Sequence, residues 1–157
     1  MALPSVLVAA VLSAVTAMVQ SPLATASVPA TVRVEERISL SVSTGVLQFV
    51  VEHGASQATA GIDFSAGVRA IPGRDVQLIA EPLGELERTG RTPALGGELH
   101  FAGEGDGTLS GVLPSDGSCI VARWAGGGLR RGRILFTLQG AAPGVYSIPV
   151  RLSVSVQ

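Results

Sequence analysis

The C-terminal segment Tyr146–Gln157 alternates without a break between apolar and polar side chains. The apolar positions are Tyr146, Ile148, Val150, Leu152, Val154 and Val156. Because successive side chains of a strand point to opposite faces, one face of this segment is apolar and the other is polar. This pattern is typical of a strand that is half-buried in an antiparallel sheet, and it predicts one long strand here.

A second alternating segment lies near the N-terminus. Its apolar positions are Val28, Ala30, Val32, Val34, Ile38, Leu40 and Val42, and Glu36 interrupts them. An ordinary strand has about 5–6 residues, so a single strand of this length would be unusual. The charge on the apolar face therefore predicts two pieces, an N-terminal extension over 27–36 and a first strand over 38–42.

Short apolar runs separated by glycine and proline fill the rest of the chain. They predict strands over 46–52, 62–64, 68–71, 76–80, 99–101, 109–113, 119–124 and 134–138. No helical period is sustained between these runs. The segment 81–97, which is rich in glycine and proline, is expected to be an irregular excursion. The spacing predicts an all-β fold, an antiparallel immunoglobulin-like β-sandwich formed by one domain over 37–157.

The first 26 residues resemble a secretory signal. An apolar run from Val6 to Val19 is followed by Pro22 and by the small residues Ala24-Thr25-Ala26. This layout predicts a signal peptide over 1–26 and a secreted, periplasmic or cell-surface protein. A retained membrane anchor is the alternative, but the run is shorter than the roughly 20 residues that span a bilayer. We therefore expect no stable membrane span after cleavage.

The formal net charge of −1 gives no basis for binding nucleic acid or anionic lipid, because both require a strong basic excess. Cys119 is the only cysteine, so no internal disulfide can form. We expect its thiol to be a small buried group, with an intermolecular disulfide as the alternative. Trp124 is expected to fill the core, and its alternative role is that of an interface anchor.

No catalytic or metal-ligating set can be assembled from the sequence. His53 and His100 stand outside any short ligand motif, and the acidic loop at 103–108 does not match a calcium loop. The nucleophile elbow of serine hydrolases is absent. A hydrolase built on scattered carboxylates, such as Asp63, Glu98 and Asp116, would need two of them to converge. We therefore predict no enzyme activity, no cofactor and no metal.

The glycine-rich segment 126–133 carries three clustered arginines, Arg130, Arg131 and Arg133. It is expected to be a mobile loop. Guanidinium groups suit carboxylates, phosphates and sulfated sugars, so this loop is either a solvated turn or a contact surface for an acidic partner.

The combination of a signal, an alternating N-terminal extension and an alternating C-terminal strand resembles a bacterial pilus subunit, of the chaperone–usher or spore-coat-U-like type. The resemblance implies an incomplete sandwich whose groove accepts the extension of another subunit. Val28, Ala30, Val32 and Val34 would then be the donor residues. The acceptor strand would present Tyr146, Ile148, Val150, Leu152, Val154 and Val156. The implied partners are copies of the chain or related subunits, and a periplasmic chaperone.

Two features depart from this family. Many such subunits carry a pair of cysteines, which this chain lacks, and Pro149 removes a backbone donor inside the proposed acceptor strand.

We therefore expect an exported structural or adhesive surface subunit that assembles by β-strand addition or edge contacts. The alternative is a monomeric periplasmic or extracellular binding module for an acidic or carbohydrate ligand, with Arg130, Arg131 and Arg133 on its contact surface.

Overall fold

A computed structural model of the chain describes residues 37–69, 72–89 and 96–157. Ten strands occupy most of these residues, and no helix occurs among them. The bounds are β1 Arg37–Val42, β2 Val46–Val51, β3 Gln57–Arg69, β4 Asp75–Pro82, β5 Glu87–Arg88, β6 Glu98–Glu104, β7 Ser110–Leu113, β8 Cys119–Ala125, β9 Gly128–Gln139 and β10 Gly144–Val156. The predicted all-β class is confirmed.

The strands form two antiparallel sheets. Sheet 1 has the order β1-β3-β9-β6-β7, and sheet 2 has the order β2-β10-β4-β8, with β5 paired to β10. The first two strands are consecutive in sequence but lie in different sheets, because the chain crosses between the sheets at Ser43–Gly45. This arrangement is of the β-sandwich kind.

One apolar core is made by the inward faces of both sheets. Alternate residues of β3, β9 and β10 are buried, as the period of two requires. Its largest members include Phe49, Phe136 and Tyr146, each with almost no exposed surface. The buried residues of the described chain include no polar or charged side chain other than Tyr146 and Trp124, which are largely apolar.

Several boundaries differ from the sequence-based expectation. The strand expected at 62–64 and the described part of the one expected at 68–71, as far as Arg69, belong to the single strand β3, in which Gly67 is an interior position. The expected excursion at 81–97 begins only after Pro82, and it contains the short strand β5. Strand β3 continues through Gly67 because it pairs with β1 on one edge and with β9 on the other.

Candidate strand-acceptor site

The strand β10 has two halves with different neighbours. Residues Gly144–Pro149 pair with β2 on one edge, and Tyr146 and Ser147 pair with β5 on the other edge. Residues Val150–Val156 pair with β4 on that second edge. Among the described residues, no strand pairs with the edge of Arg151–Val156 that faces away from β4. The second half of β10 is therefore a half-open edge strand.

Hydrogen bonds at both ends of this half show which backbone groups face the open edge. The Val150 N–H donates to the Gly45 carbonyl oxygen at 2.9 Å, on the side of β2. The Gln157 N–H donates to the Asp75 carbonyl oxygen at 2.8 Å, on the side of β4. Because alternate residues of a strand direct their backbone groups to opposite edges, Leu152, Val154 and Val156 direct theirs to the open edge.

The side chains of β10 follow the same division. Where β2 covers the edge, Tyr146, Ile148 and Val150 are buried in the core. Beyond β2, Leu152, Val154 and Val156 face the same interior but are only partly buried. The apolar face of this strand is therefore continuous, while its cover ends near Val150.

The strand β1 forms the opposite wall of this opening. Its pairing places Val42 beside Phe64, Leu40 beside Ala66 and Ile38 beside Val68, so its even-numbered side chains share the core-facing side of β3. Two of these remain well exposed, with 48% of Ile38 and 39% of Val42 accessible.

The backbone of β1 is open in the same direction. The Ser43 N–H donates to the Asp63 carbonyl oxygen at 2.9 Å, so odd-numbered residues face β3 and even-numbered residues face away from it.

These two edges together define what we call the lateral groove. It is lined by core-facing side chains from one edge of each sheet, which are Ile38, Leu40, Val42, Leu152, Val154 and Val156. Some residues of β1 and β10 have Cα atoms within 8 Å of each other. Both walls offer unpaired backbone groups and apolar side chains within the described part of the chain. An added strand uses the same two features, since backbone bonds give affinity and side-chain contacts give specificity.

Pro149 lies outside the groove. It sits opposite Val46 in the covered half of β10, and its carbonyl oxygen accepts a hydrogen bond from the Leu83 N–H at 2.9 Å. Its own backbone therefore faces the point where the chain leaves β4, next to Gly84, and not the groove. The groove therefore loses no backbone N–H donor because of this proline.

The predicted site residues are distributed as follows. Leu152, Val154 and Val156 line the lateral groove. Tyr146, Ile148 and Val150 lie in the core, in the half of β10 whose edge β2 covers. The predicted donor residues Val28, Ala30, Val32 and Val34 lie outside the described residues. Sequence reasoning missed Ile38, Leu40 and Val42 as part of the site. Their alternation was recognised, but it could not show that one side of this strand stays open.

The three clustered arginines lie in a strand, and the expectation of a mobile loop was wrong. They occupy the first half of β9, which pairs with β3 from Gly128 onward. Their side chains alternate, so Arg131 and Arg133 lie on the outer face and Arg130 on the inner face. The Arg133 Nε atom lies 3.4 Å from the Asp63 carboxylate. The Arg130 Nε atom is buried without a hydrogen-bond partner within the described chain.

The remaining candidate residues show no assembled chemistry. No group of three or more histidine, cysteine, aspartate or glutamate side chains that could hold a metal occurs among residues 37–69, 72–89 and 96–157. The His100 Nε2 atom lies 3.1 Å from the Glu98 carboxylate on an exposed surface. Trp124 is buried in the core. Burial raises the pKa of the Cys119 thiol, which is only partly exposed.

No helix in the described ranges is long and apolar enough to cross a membrane. The sequence matches no known family model, and no curated protein matches it significantly.

Proposed function

We propose that this protein is an exported structural subunit that assembles by β-strand addition, and that residues 28–34 of one copy enter the lateral groove of another. The observation that carries the proposal is the half-open edge of β10 beside the open edge of β1. The groove needs an apolar, alternating strand, and the segment with Val28, Ala30, Val32 and Val34 has that pattern.

The strand order supports an immunoglobulin-like arrangement with an incomplete edge. Sheet 1 contains β1-β3-β9-β6, which corresponds to the order A-B-E-D, and the pair β4-β10 corresponds to C-F. The Tyr146 hydroxyl donates to the Ala142 carbonyl oxygen at 2.6 Å, four residues upstream. A tyrosine corner of this kind marks the start of strand F in such sandwiches. The lateral groove then occupies part of the position where strand G would pair.

The lengths of donor and groove agree. Residues Arg151–Val156 span about 20 Å at the usual rise of a strand, and a segment of seven residues covers slightly more. Burying three valines and an alanine would contribute about 4–8 kcal/mol. The backbone hydrogen bonds of an added strand contribute beside this gain, and together they offset the entropy lost when the segment is ordered.

The sequence before β1 favours insertion into another copy over insertion into the same one. To reach its own groove, the donor segment would have to reverse direction between Arg33 and Glu36. Tight hairpins prefer glycine, asparagine or aspartate at their turns, and the residues there are Arg33, Val34, Glu35 and Glu36. A short connection that resists folding back favours exchange of the strand between copies.

The first experiment compares two double variants of the full chain. Val28→Asp with Val32→Asp places charges on the apolar face of the donor, whereas Ser27→Asp with Thr31→Asp places the same charges on its other face. Sedimentation measures the mass of each. We expect the native chain and the Ser27/Thr31 variant to associate, and the Val28/Val32 variant to be monomeric. A monomeric native chain, or equal association of both variants, would contradict the proposal.

The second experiment tests whether residues 28–34 insert into the lateral groove of their own copy or into that of another copy. In a Cys119→Ser background, a Val32→Cys chain is mixed with a Val154→Cys chain under oxidising conditions. A disulfide between the two chains is expected, because neighbouring strands bring such side chains within bonding distance. A doubly substituted chain that closes the disulfide only within itself, with no mixed dimer, would show that the segment fills its own groove.

A further inference from the structure

Charges of opposite sign are concentrated at opposite ends of the described fold. We call one the acidic end, where β3, β6 and β10 begin and β4, β7 and β9 end. The other is the arginine end, where β1, β4 and β9 begin and β3, β8 and β10 end. The exposed acidic side chains at or just beyond strand termini of the acidic end are Glu52, Glu85, Glu87, Glu98 and Asp116. Arg88 is the one arginine there within the described chain.

The arginine end has the opposite composition. Its arginines are Arg37, Arg69, Arg74, Arg123, Arg130 and Arg131, and its acidic residues within the described chain are Asp75, Glu104 and Asp106. Arg37 and Arg69 lie directly opposite each other on β1 and β3.

Between the ends, charges of opposite sign offset each other. Asp63 pairs with Arg133 and Glu81 pairs with Arg151.

This distribution gives the fold a polarity that the net charge conceals. A net charge close to zero produces no general repulsion between copies, and it favours association. The two ends are separated by the length of β9, which is about 40 Å at the usual strand rise. Because the Debye length is about 8 Å at physiological salt, the ends interact only where they meet. The separation of charge therefore affects how two copies are oriented only when their surfaces are close together.

The acidic end carries a cleft of about 1050 Å³ between the β4–β5 connection, the start of β6 and the end of β7. Its lining combines apolar and acidic side chains, including Leu83, Glu85, Glu98, Val112, Leu113 and Asp116.

At the arginine end, Leu129 leaves 61% of its surface exposed at the start of β9, and Arg131 lies on the same outer face of that strand. An apolar side chain beside a guanidinium group complements a cleft that is apolar with an acidic rim.

We infer that the arginine end of one copy docks onto the acidic cleft of a second copy. Among the described residues, the acidic end has five acidic side chains against one arginine, and the arginine end has six arginines against three acidic side chains, so the chain itself provides a matching surface. A separate polyanion would satisfy only the arginine end and leave the acidic end without a role. The contact joins different surfaces of the two copies, so it propagates from copy to copy. It uses charged and apolar side chains of the described surface and is independent of strand insertion.

The test uses charge reversal at each end. One variant carries Arg69→Glu, Arg74→Glu and Arg131→Glu, and the other carries Glu85→Arg, Glu87→Arg and Asp116→Arg. Each variant presents like charges at both ends, so its self-association should weaken by about tenfold or more. An equimolar mixture of the two should associate as the native chain does, and so should a single chain carrying all six substitutions. That six-fold variant is the matched control, because it contains every substitution and keeps the native net charge.

The measurements are made by sedimentation in the Val28→Asp/Val32→Asp background as well as in the native chain. Residual association in that background should fall by about tenfold between about 0.05 M and about 0.5 M NaCl. If the strand-insertion proposal fails, this result can still be interpreted, because the charge contact does not use residues 28–34.

Three outcomes would overturn the inference. The first is an association that the reversals leave unchanged, and the second is a mixture that fails to recover it. The third is an association that appears only after polyphosphate is added, which would assign the arginine end to a polyanion.

Discussion

The Val150 N–H donates a hydrogen bond of 2.9 Å to the Gly45 carbonyl oxygen, and this bond is the last one that β10 makes on the side of β2. Gly45 lies where the chain crosses from sheet 1 to sheet 2. The crossing thus sets the point at which the cover of β10 ends. Beyond Val150, the same strand keeps its core-facing side chains but has an uncovered edge in the described fold.

Proline substitutions distinguish the two edges of β10. Ser153→Pro removes an N–H that faces β4, whereas Val154→Pro removes one that faces the lateral groove. We expect Ser153→Pro to lower the free energy of unfolding by about 1–3 kcal/mol more than Val154→Pro, because only the former breaks the ladder with β4. Urea denaturation measures both. Equal losses in the monomer would show that both edges of this strand are paired.

The tyrosine corner should contribute measurably to stability. Tyr146 is almost completely buried, and its hydroxyl donates to the Ala142 carbonyl oxygen. Tyr146→Phe keeps the ring and removes the hydroxyl, so we expect a loss of about 1–2 kcal/mol in urea denaturation. An unchanged midpoint and slope would show that this carbonyl finds another partner in the variant.

Two glycines in left-handed conformations separate backbone strain from steric overlap. Gly107 and Gly117 have φ values of +74° and +89°. A Cβ atom at Gly107 would overlap the Arg123 carbonyl oxygen, whereas one at Gly117 meets nothing within 4 Å. We expect Gly117→Ala to cost about 1–2 kcal/mol, the ordinary penalty for a side chain in this region. Gly107→Ala should cost clearly more in thermal unfolding, and equal costs would contradict the close approach.

The Cys119 thiol should make stability depend on pH in the alkaline range. Burial raises its pKa in the folded state above the ordinary value, because the thiolate loses solvation. Because the folded pKa is the higher one, the protonated thiol makes its full contribution to the free energy of unfolding below the unfolded pKa. This contribution decreases as the pH rises toward the folded pKa. We therefore expect Cys119→Ala to decrease the loss of stability between neutral and alkaline pH. The slope of unfolding free energy against pH, measured for both chains, checks this expectation.

Reactivity offers a second measurement on the same thiol. Disulfide exchange requires the thiolate, so a thiol-specific disulfide reagent should modify native Cys119 more slowly than the urea-unfolded chain at the same pH. Equal rates would mean that the thiol is not protected by the fold.

Much of the fold could be predicted because strand alternation is local. The buried positions Tyr146, Ile148 and Val150 follow directly from the period of two, as does the outward direction of Ser147. Trp124 lies in the core for the same reason, at an inward position of β8. The arginine segment was misjudged because three glycines before it suggested a loop. Pairing with β3 holds Arg130 and Arg131 in a strand instead.

The two candidate surfaces could not be predicted from local pattern. The lateral groove joins Ile38 and Val42 to Leu152 and Val154, residues that lie more than a hundred positions apart in the chain. The acidic end likewise collects Glu52, Glu98 and Asp116 from separate connections.

The amino-acid sequence by itself determined that the chain is all-β and, in strands with unbroken alternation such as β10, which side chains face the core, because both depend on neighbours along the chain. Only the tertiary structure decided which edges of those strands are covered and where the charges gather. Edge pairing depends on which distant strand arrives there, and the crossing at Gly45 takes β2 to only one half of β10. The antiparallel directions of the strands then place charged residues that are distant in sequence at the same end of the fold.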